Sequence, residues 1–237
     1  TDVHKQLDWA KTMAQQFKEP DLIIFSGDTV STLDTKSDIV TAFNIMGTIS
    51  HGANGQTPLV YIRGNHECRG NYSTALLEYL PTETGEYYFD FTYGPLYGLV
   101  LDTGEDKADQ HIKNDGKENS PRNEYGQLVN FAEYHQRQEA WLRSLQMDET
   151  ATFRLGIYHI PRIHDLSRVN DTKYNLAQYT EHLGIQVGIA GHTHSLGAYY
   201  DSANQSATKL KHTVFVCGGG DDVAASKRAA VLVTMNA

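Results

Sequence analysis

Two cysteines in 237 residues, Cys68 and Cys217, are too few for a disulfide framework. Two buried thiols are the plain reading, and they fix no compartment. Positive charge is also scarce, since 20 Lys and Arg against 29 Asp and Glu leave a formal net charge of −9. Duplex DNA and anionic membranes both want a basic face, so neither is an expected partner. No apolar run approaches the roughly 20 residues of a membrane helix, which excludes membrane insertion of that kind. Repeats and low-complexity tracts are absent as well, and no secretory leader is visible, which a chain missing its upstream part could not show. A hydrophobic share of 40%, with 10% aromatic, excludes a disordered chain. Asn71-Tyr72-Ser73, Asn170-Asp171-Thr172 and Asn204-Gln205-Ser206 fit the glycosylation pattern, but three chance matches are unsurprising.

What is present is a series of metal-ligand residue types in five short clusters. They are Asp2-Val3-His4, Gly27-Asp28, Gly64-Asn65-His66-Glu67, Tyr158-His159 and Gly191-His192-Thr193-His194. Four follow a short apolar run, namely Leu22 to Phe25, Leu59 to Ile62, Leu155 to Tyr158 and Val187 to Ala190. A strand that ends in a polar residue delivers that side chain to a sheet edge, and several such ends side by side make a site. Carboxylate, amide and imidazole suit Mn, Fe or Zn at a hydrolytic centre. Asp28 is the natural bridge between two ions, because each of its oxygens can serve one. Asp2, His4 and one further imidazole would complete one shell. Asn65, His159 and another imidazole would complete the second. His192 and His194 share a face on an extended chain, and a bend in the loop would send one to each ion. A frayed terminus is the competing reading of Asp2 and His4.

The patterning predicts an order of elements. Helices are expected at Leu7 to Phe17, Asp38 to Ile49, Thr74 to Tyr79, Phe131 to Leu145 and Tyr174 to Leu183. Strands are expected at Leu22 to Phe25, Leu59 to Ile62, Phe153 to Tyr158, Gln186 to Ala190, Gly197 to Tyr200, Thr213 to Cys217 and Ala229 to Thr234. Glu86 to Phe91 and Leu96 to Leu101 read as an antiparallel pair turned at Tyr93-Gly94-Pro95. Glu105 to Tyr125 is polar and without period, a long surface loop. The expected fold class is α/β (α+β), with two mixed sheets packed together and helices outside, as one domain over 1–237. A ligand at the second residue implies a missing strand upstream, so the chain reads as a fragment truncated at its N-terminus.

The ordered series Asp-x-His, Gly-Asp, Gly-Asn-His-Glu, His and Gly-His-x-His resembles the calcineurin-like metallophosphoesterase superfamily, over Asp2 to His194. Leu59 to Glu67 is similar to the matching stretch of serine/threonine protein phosphatases. The layout with Tyr158-His159-Ile160-Pro161 is most similar to bacterial and purple acid phosphatase-like members. The resemblance implies a four-layer αββα sandwich and two divalent or trivalent ions, Mn, Fe or Zn. Asp2, His4, Asp28 and His194 would hold one ion. Asp28, Asn65, His159 and His192 would hold the other, with His66 the catalytic histidine near the leaving group. It implies a phosphoesterase that hydrolyses a phosphomonoester or phosphodiester by direct attack of a metal-bound hydroxide on a small phosphorylated substrate. It also slightly favours an exported location over a cytoplasmic one. Ser31 stands where purple acid phosphatases have the iron-binding tyrosine, which argues against a purple ferric centre. It also stands where protein phosphatases have the aspartate that orients the histidine, which argues against a protein phosphatase.

Substrate contacts are expected from Asn65, Arg63 and His164, with Arg69 and Asn71 also on loops beyond ligands. For Arg63 a structural salt bridge is the alternative, and for the others an ordinary surface position. A metallophosphoesterase fold that serves only as a binding module is one rival reading. A nuclease acting on single-stranded nucleic acid is another, though a basic groove or stacking platform is little in evidence.

Overall fold

The computed structural model describes all residues except 1, 18, 53–55, 107–130, 164–165, 170–171, 200–209, 220–227 and 237. The N-terminal half builds a small parallel sheet. Strand β1 (Ile23–Ser26) pairs in parallel with β2 (Leu59–Ile62), Ile23 opposite Leu59 and Ser26 opposite Ile62. Helices α1 (Leu7–Ala14) and α2 (Lys36–Gly52) flank them in sequence. Helix α2 starts where Thr35 and Asp38 cap it. The Asp38 carboxylate reaches back to the Thr35 N–H at 2.9 Å, and Lys5 holds the same carboxylate at 2.6 Å. After β2 come a 3₁₀ turn (His66–Cys68) and the one-turn helix α3 (Leu76–Tyr79).

The second sheet has six strands in the order β3-β4-β5-β8-β10-β9. They are β3 (Phe89–Tyr93), β4 (Leu96–Leu101), β5 (Phe153–Tyr158), β8 (Val187–Ala190), β9 (Gly197–Tyr199) and β10 (Thr213–Val216). The central four run parallel and the two edges antiparallel, so the sheet is mixed. Helices α4 (Phe131–Ser144) and α5 (Ala177–His182), with the hairpin β6 (Leu166–Val169) and β7 (Thr172–Tyr174), complete the elements.

The period-two alternation of the strands sorts side chains into layers. Ile23, Phe25, Leu59 and Tyr61 pack with Ala10, Ile39, Ala42 and Ile45 in the core beneath α1 and α2. Ile24, Val60 and Ile62 face the other way, against Leu96, Val100, Leu155 and Ile157, and form the core between the sheets. Tyr97, Leu99, Leu101 and Tyr158 point to the far side, against Leu142, Leu176 and Leu183. The result is the αββα sandwich. No helix among the described residues is long and apolar enough to cross a membrane.

Several expectations need correction. Helix α1 stops at Ala14, short of Phe17, and α2 runs on to Gly52. The hairpin β6–β7 was not anticipated, and it turns Tyr174 from a helix start into a strand end. Helix α5 begins only at Ala177, whose N–H is capped by the Asn175 side chain at 3.0 Å. The terminal strand from Ala229 to Thr234 does not form. Ala229 makes an isolated bridge to Gly218, and Leu232 is 63% exposed, so no described residue buries that segment as a strand would need. The predicted loop from Glu105 to Tyr125 lies outside the described residues from position 107 onward.

Candidate metal centre

Parallel strands end on a common edge, and the ligand clusters sit there. Gly27-Asp28 follows β1, Gly64-Asn65 follows β2, His159 follows β5 and Gly191-His192 follows β8. Asp2 and His4 join from outside any strand. Asp2 N–H donates to the Gly27 carbonyl at 3.0 Å, His4 N–H to that of Asp28 at 3.1 Å, and Lys5 N–H to that of Thr29 at 3.0 Å. This short ladder buries Asp2 completely and His4 nearly so, which removes the frayed-terminus reading.

Two donor groups result, and they share Asp28. Nitrogen and oxygen atoms of Asp2, His4, Asp28 and His194 lie within 4.8 Å of one another, and so do those of Asp28, His159 and His192. His4 Nε2 and His194 Nε2 face each other at 3.3 Å. Asn65 Oδ1 completes the second group, 3.0 Å from His159 Nε2 and 3.0 Å from His192 Nδ1. His159 Nδ1 lies 2.6 Å from the Ser26 carbonyl, an acceptor, so Nδ1 carries a proton and Nε2 faces inward. Nε2 lies 3.0 Å from Asn65 Oδ1 and 3.1 Å from Asp28 Oδ2, where a proton or a cation sits between them. Acceptor atoms crowding together in this way fit a cation between them, so the donor set suits the two metal ions typical of such centres.

The same atoms compete for protons. Burial pushes the Asp2 carboxyl up to about 6, against the pull of His159. Burial also acts upward on Asp28, but His159, His66 and His4 outweigh it and hold that carboxyl below the usual range. For His159 burial acts downward, and Asp28 and Asp2 reverse it, to about 10. Burial and the charge of His159 push His192 down to about 4. A metal ion binding here would therefore displace protons.

The backbone is bent to make these lone pairs converge. Asp2, His4, Asp28, His192 and His194 all have positive φ, five of the seven such non-glycine residues among those described. The His192–His194 loop is thus not extended, which is how the two rings separate to different groups. Space is equally tight. A Cβ on Gly64 would lie 2.5 Å from the Asp28 nitrogen and collide with its carboxylate.

His66 stands beside the cluster, its Nε2 3.9 Å from Asp28 Oδ2 and its side chain 26% exposed. Asn65 has helical backbone angles and His66 opens the 3₁₀ turn, and neighbours on such a turn point apart, so His66 stands beside the donor group that Asn65 joins. Its Nδ1 lies 2.8 Å from the Ser31 carbonyl. The main-chain carbonyl at position 31 thus supplies the orienting acceptor, in place of a side-chain carboxylate.

Glu67 has a role the sequence did not disclose. Its buried carboxylate accepts four backbone N–H groups. Oε1 takes Thr29 at 2.6 Å and Val30 at 3.0 Å, and Oε2 takes Asp28 at 2.8 Å and Gly64 at 2.7 Å. It ties the loop carrying Asp28 to the loop carrying Asn65. Burial, then the charge of Asp28, push this carboxyl up to about 7, while the N–H donors pull it down.

The other expected substrate contacts divide. Arg63 is buried and salt-bridged to Asp102, Nε at 2.8 Å and Nη2 at 2.7 Å, under the Tyr87 ring. Tyr134 OH donates to the same carboxylate at 2.7 Å. The salt-bridge alternative therefore holds for Arg63, and it is withdrawn as a substrate contact. His164 lies outside the described residues, and Asn71 is an exposed loop residue. Arg69, by contrast, is buried beside His66.

A family model described as calcineurin-like phosphoesterase matches residues 1–196, and the chain belongs to that family. A search of curated proteins finds no match. Among solved structures, the chain is similar to a purple acid phosphatase from yellow lupin, Lupinus luteus (13% identity, TM-score 0.51). That likeness covers 92% of this chain and 40% of the lupin protein. A dimetal phosphatase from Danio rerio is 15% identical with TM-score 0.51, over 94% of this chain and 80% of the other. GAP50, the anchor in the inner membrane complex of Plasmodium, is 15% identical with TM-score 0.54, over 93% and 69%. At these identities the likeness shows the metallophosphoesterase fold.

Proposed function

We propose that this chain is a two-metal phosphoesterase that hydrolyses a phosphomonoester or phosphodiester. The observation that carries the reading is the convergence of Asp2, His4, Asp28, Asn65, His159, His192 and His194 at one sheet edge, in two groups joined through Asp28. When bound there, two ions would supply Lewis-acid stabilisation of the phosphoryl oxygens and lower the pKa of water between them. The chain does the rest. Asp28 serves both groups and also accepts the His66 N–H at 2.9 Å, so it sets the distance between the metal site and the histidine. The Ser31 carbonyl fixes the His66 ring with Nε2 toward the cluster. Burial lowers the His66 pKa, Asp28 opposes this and Arg69 adds to it, which makes the protonated ring a stronger acid. Water attacks phosphorus directly, the bond to the leaving oxygen breaks, and His66 Nε2 gives that oxygen its proton. The proton the water gives up goes to solvent, from which His66 is reprotonated. No phosphoenzyme forms.

The test is a panel of para-nitrophenyl phosphate, its bis-ester and single-stranded DNA, each with Mn, Zn and Fe. Metal-dependent hydrolysis of either nitrophenyl ester is expected. His66→Asn should keep both metals while turnover falls about 10²–10⁴-fold, most for alkyl esters, whose leaving group needs the proton. A protein that binds two equivalents of metal and hydrolyses nothing is a binding module, the reading that the fold likeness to an anchor protein keeps in view. Hydrolysis of DNA alone would make it a nuclease.

A further inference from the structure

Arg69 ends the 3₁₀ turn that begins at His66, and its side chain is 10% exposed. Its guanidinium is gripped along one edge. Nε donates to Glu105 Oε2 at 2.8 Å and Nη2 to Glu105 Oε1 at 3.0 Å, a bidentate pair, while Nη2 reaches Asp106 at 3.5 Å. The other nitrogen, Nη1, lies 3.0 Å from His66 Nδ1 and 3.1 Å from Nε2. At nearly equal distance from both, Nη1 lies against the imidazole and not in line with either nitrogen, so Nδ1 keeps the Ser31 carbonyl and Nε2 stays turned to Asp28. A bidentate carboxylate fixes the guanidinium plane as well as its place. A merely structural cross-link has no need to set Nη1 against the ring that serves the leaving group.

We propose that Arg69 is a substrate-contacting residue that donates to a non-bridging phosphoryl oxygen beside His66, and that Glu105 and Asp106 are positioning residues that aim it. The proposal rests on the phosphoesterase reading for its substrate. Because Glu105 balances the charge of Arg69, the pair contributes a directed donor more than net positive charge. Planarity therefore matters, and a lysine is a poor substitute.

The test uses the Mn-loaded chain and variants Arg69→Gln, Arg69→Lys and Glu105→Gln. It reads bis-ester KM and kcat, the Ki of inorganic phosphate, metal content and melting temperature. Arg69→Gln should keep two metal equivalents and raise KM and the phosphate Ki about 10- to 100-fold, the loss of one charge-assisted hydrogen bond. Glu105→Gln should raise both about 10-fold at unchanged metal content, because Arg69 stays but is no longer aimed. Arg69→Lys retains a cation opposite Glu105 and should still show the raised Ki, which covers the case of an unfolded glutamine variant. An unchanged Ki with a lowered melting temperature makes Arg69 a structural cross-link and overturns the proposal. An unchanged Ki with a kcat loss that depends on the leaving group places its action through His66 and also overturns it. Should the native chain hydrolyse neither ester, the phosphoesterase reading fails separately. Direct phosphate titration of native chain and Arg69→Gln then still decides the clamp.

Discussion

Glu67→Gln is the sharpest test of how the centre is assembled. The substitution preserves volume and shape and exchanges one acceptor oxygen for an NH₂. Each Glu67 oxygen serves two backbone N–H groups, Thr29 and Val30 on one, Asp28 and Gly64 on the other. Whichever way the amide turns, two buried N–H groups then face a donor. An unsatisfied buried donor costs about 1–3 kcal/mol, so the variant should lose about 2–6 kcal/mol. For a chain of this length that lowers the melting temperature by on the order of 10 °C. The second consequence is functional. The loops that slacken carry Asp28, which both groups share, so affinity for both ions should fall together, by about 10–100-fold each. Thermal unfolding in EDTA isolates the stability effect, and manganese titration by calorimetry reads the affinities. A variant that melts within about 2 °C of the native chain, or that loses only one ion, would refute the clamp.

Three further outcomes follow from particular residues. Asp28→Asn should weaken both metal sites at once and abolish turnover, which elemental analysis and the ester assay check. Normal occupancy with normal hydrolysis would end its bridging role. Gly64→Ala should prevent metal loading, because its Cβ collides with the Asp28 loop, and a variant that binds two ions would refute that crowding. His135 is fully buried, with neither ring nitrogen hydrogen-bonded among the described residues, and burial pushes it down to about 4. The unfolded state then binds the extra proton between about pH 6.5 and 4, so His135 destabilises the fold as pH falls through that window, by up to about 3 kcal/mol. His135→Phe should flatten the pH dependence of the melting temperature there, and an unchanged slope would show the ring to be paired.

The fold was legible where burial imposes a period. Val60 and Ile62 alternate with Leu59 and Tyr61 because the strand lies between two apolar layers, and β2 falls on its expected residues. It was illegible where pairing, not burial, makes the strand. Strands β6 and β7 are three or four residues long, too short to show alternation, and the polar Asn170-Asp171 between them reads simply as loop. The opposite error occurred at Ala229 to Thr234, whose apolar residues have a strand's composition but no neighbouring strand to pair with among the described residues. At the site, residue types and order brought seven donors into view, because ligand chemistry restricts which side chains can serve. The supports were hidden for the converse reason. Ser31 acts through its carbonyl and Glu67 on main-chain hydrogens, and a motif of side-chain types records neither a carbonyl acceptor nor a backbone donor. Glu105 sits in a polar stretch with no pattern, and only the fold brings it to Arg69.

The positive φ angles give these supports their reason. A non-glycine residue in that region costs on the order of 1 kcal/mol or more, somewhat less for Asp than for bulkier side chains. Five such residues in one cluster carry strain comparable to the net stability of a small domain. Left to local preference, the loops after β1 and β8 would relax and their lone pairs would part. What opposes this is backbone hydrogen bonding from outside the loops: the Asp2–Lys5 ladder against residues 27–29, the Glu67 carboxylate, and the His192 N–H on Asp2 at 3.0 Å. Ligands and supports thus hold one another, Asp2 serving in both capacities. Any cation that binds adds its own free energy to the folded side of the balance. The positions least able to tolerate substitution are therefore the ones where a donor is also a brace, among them Asp2, which accepts the His192 N–H, and Asp28, which accepts the His66 N–H.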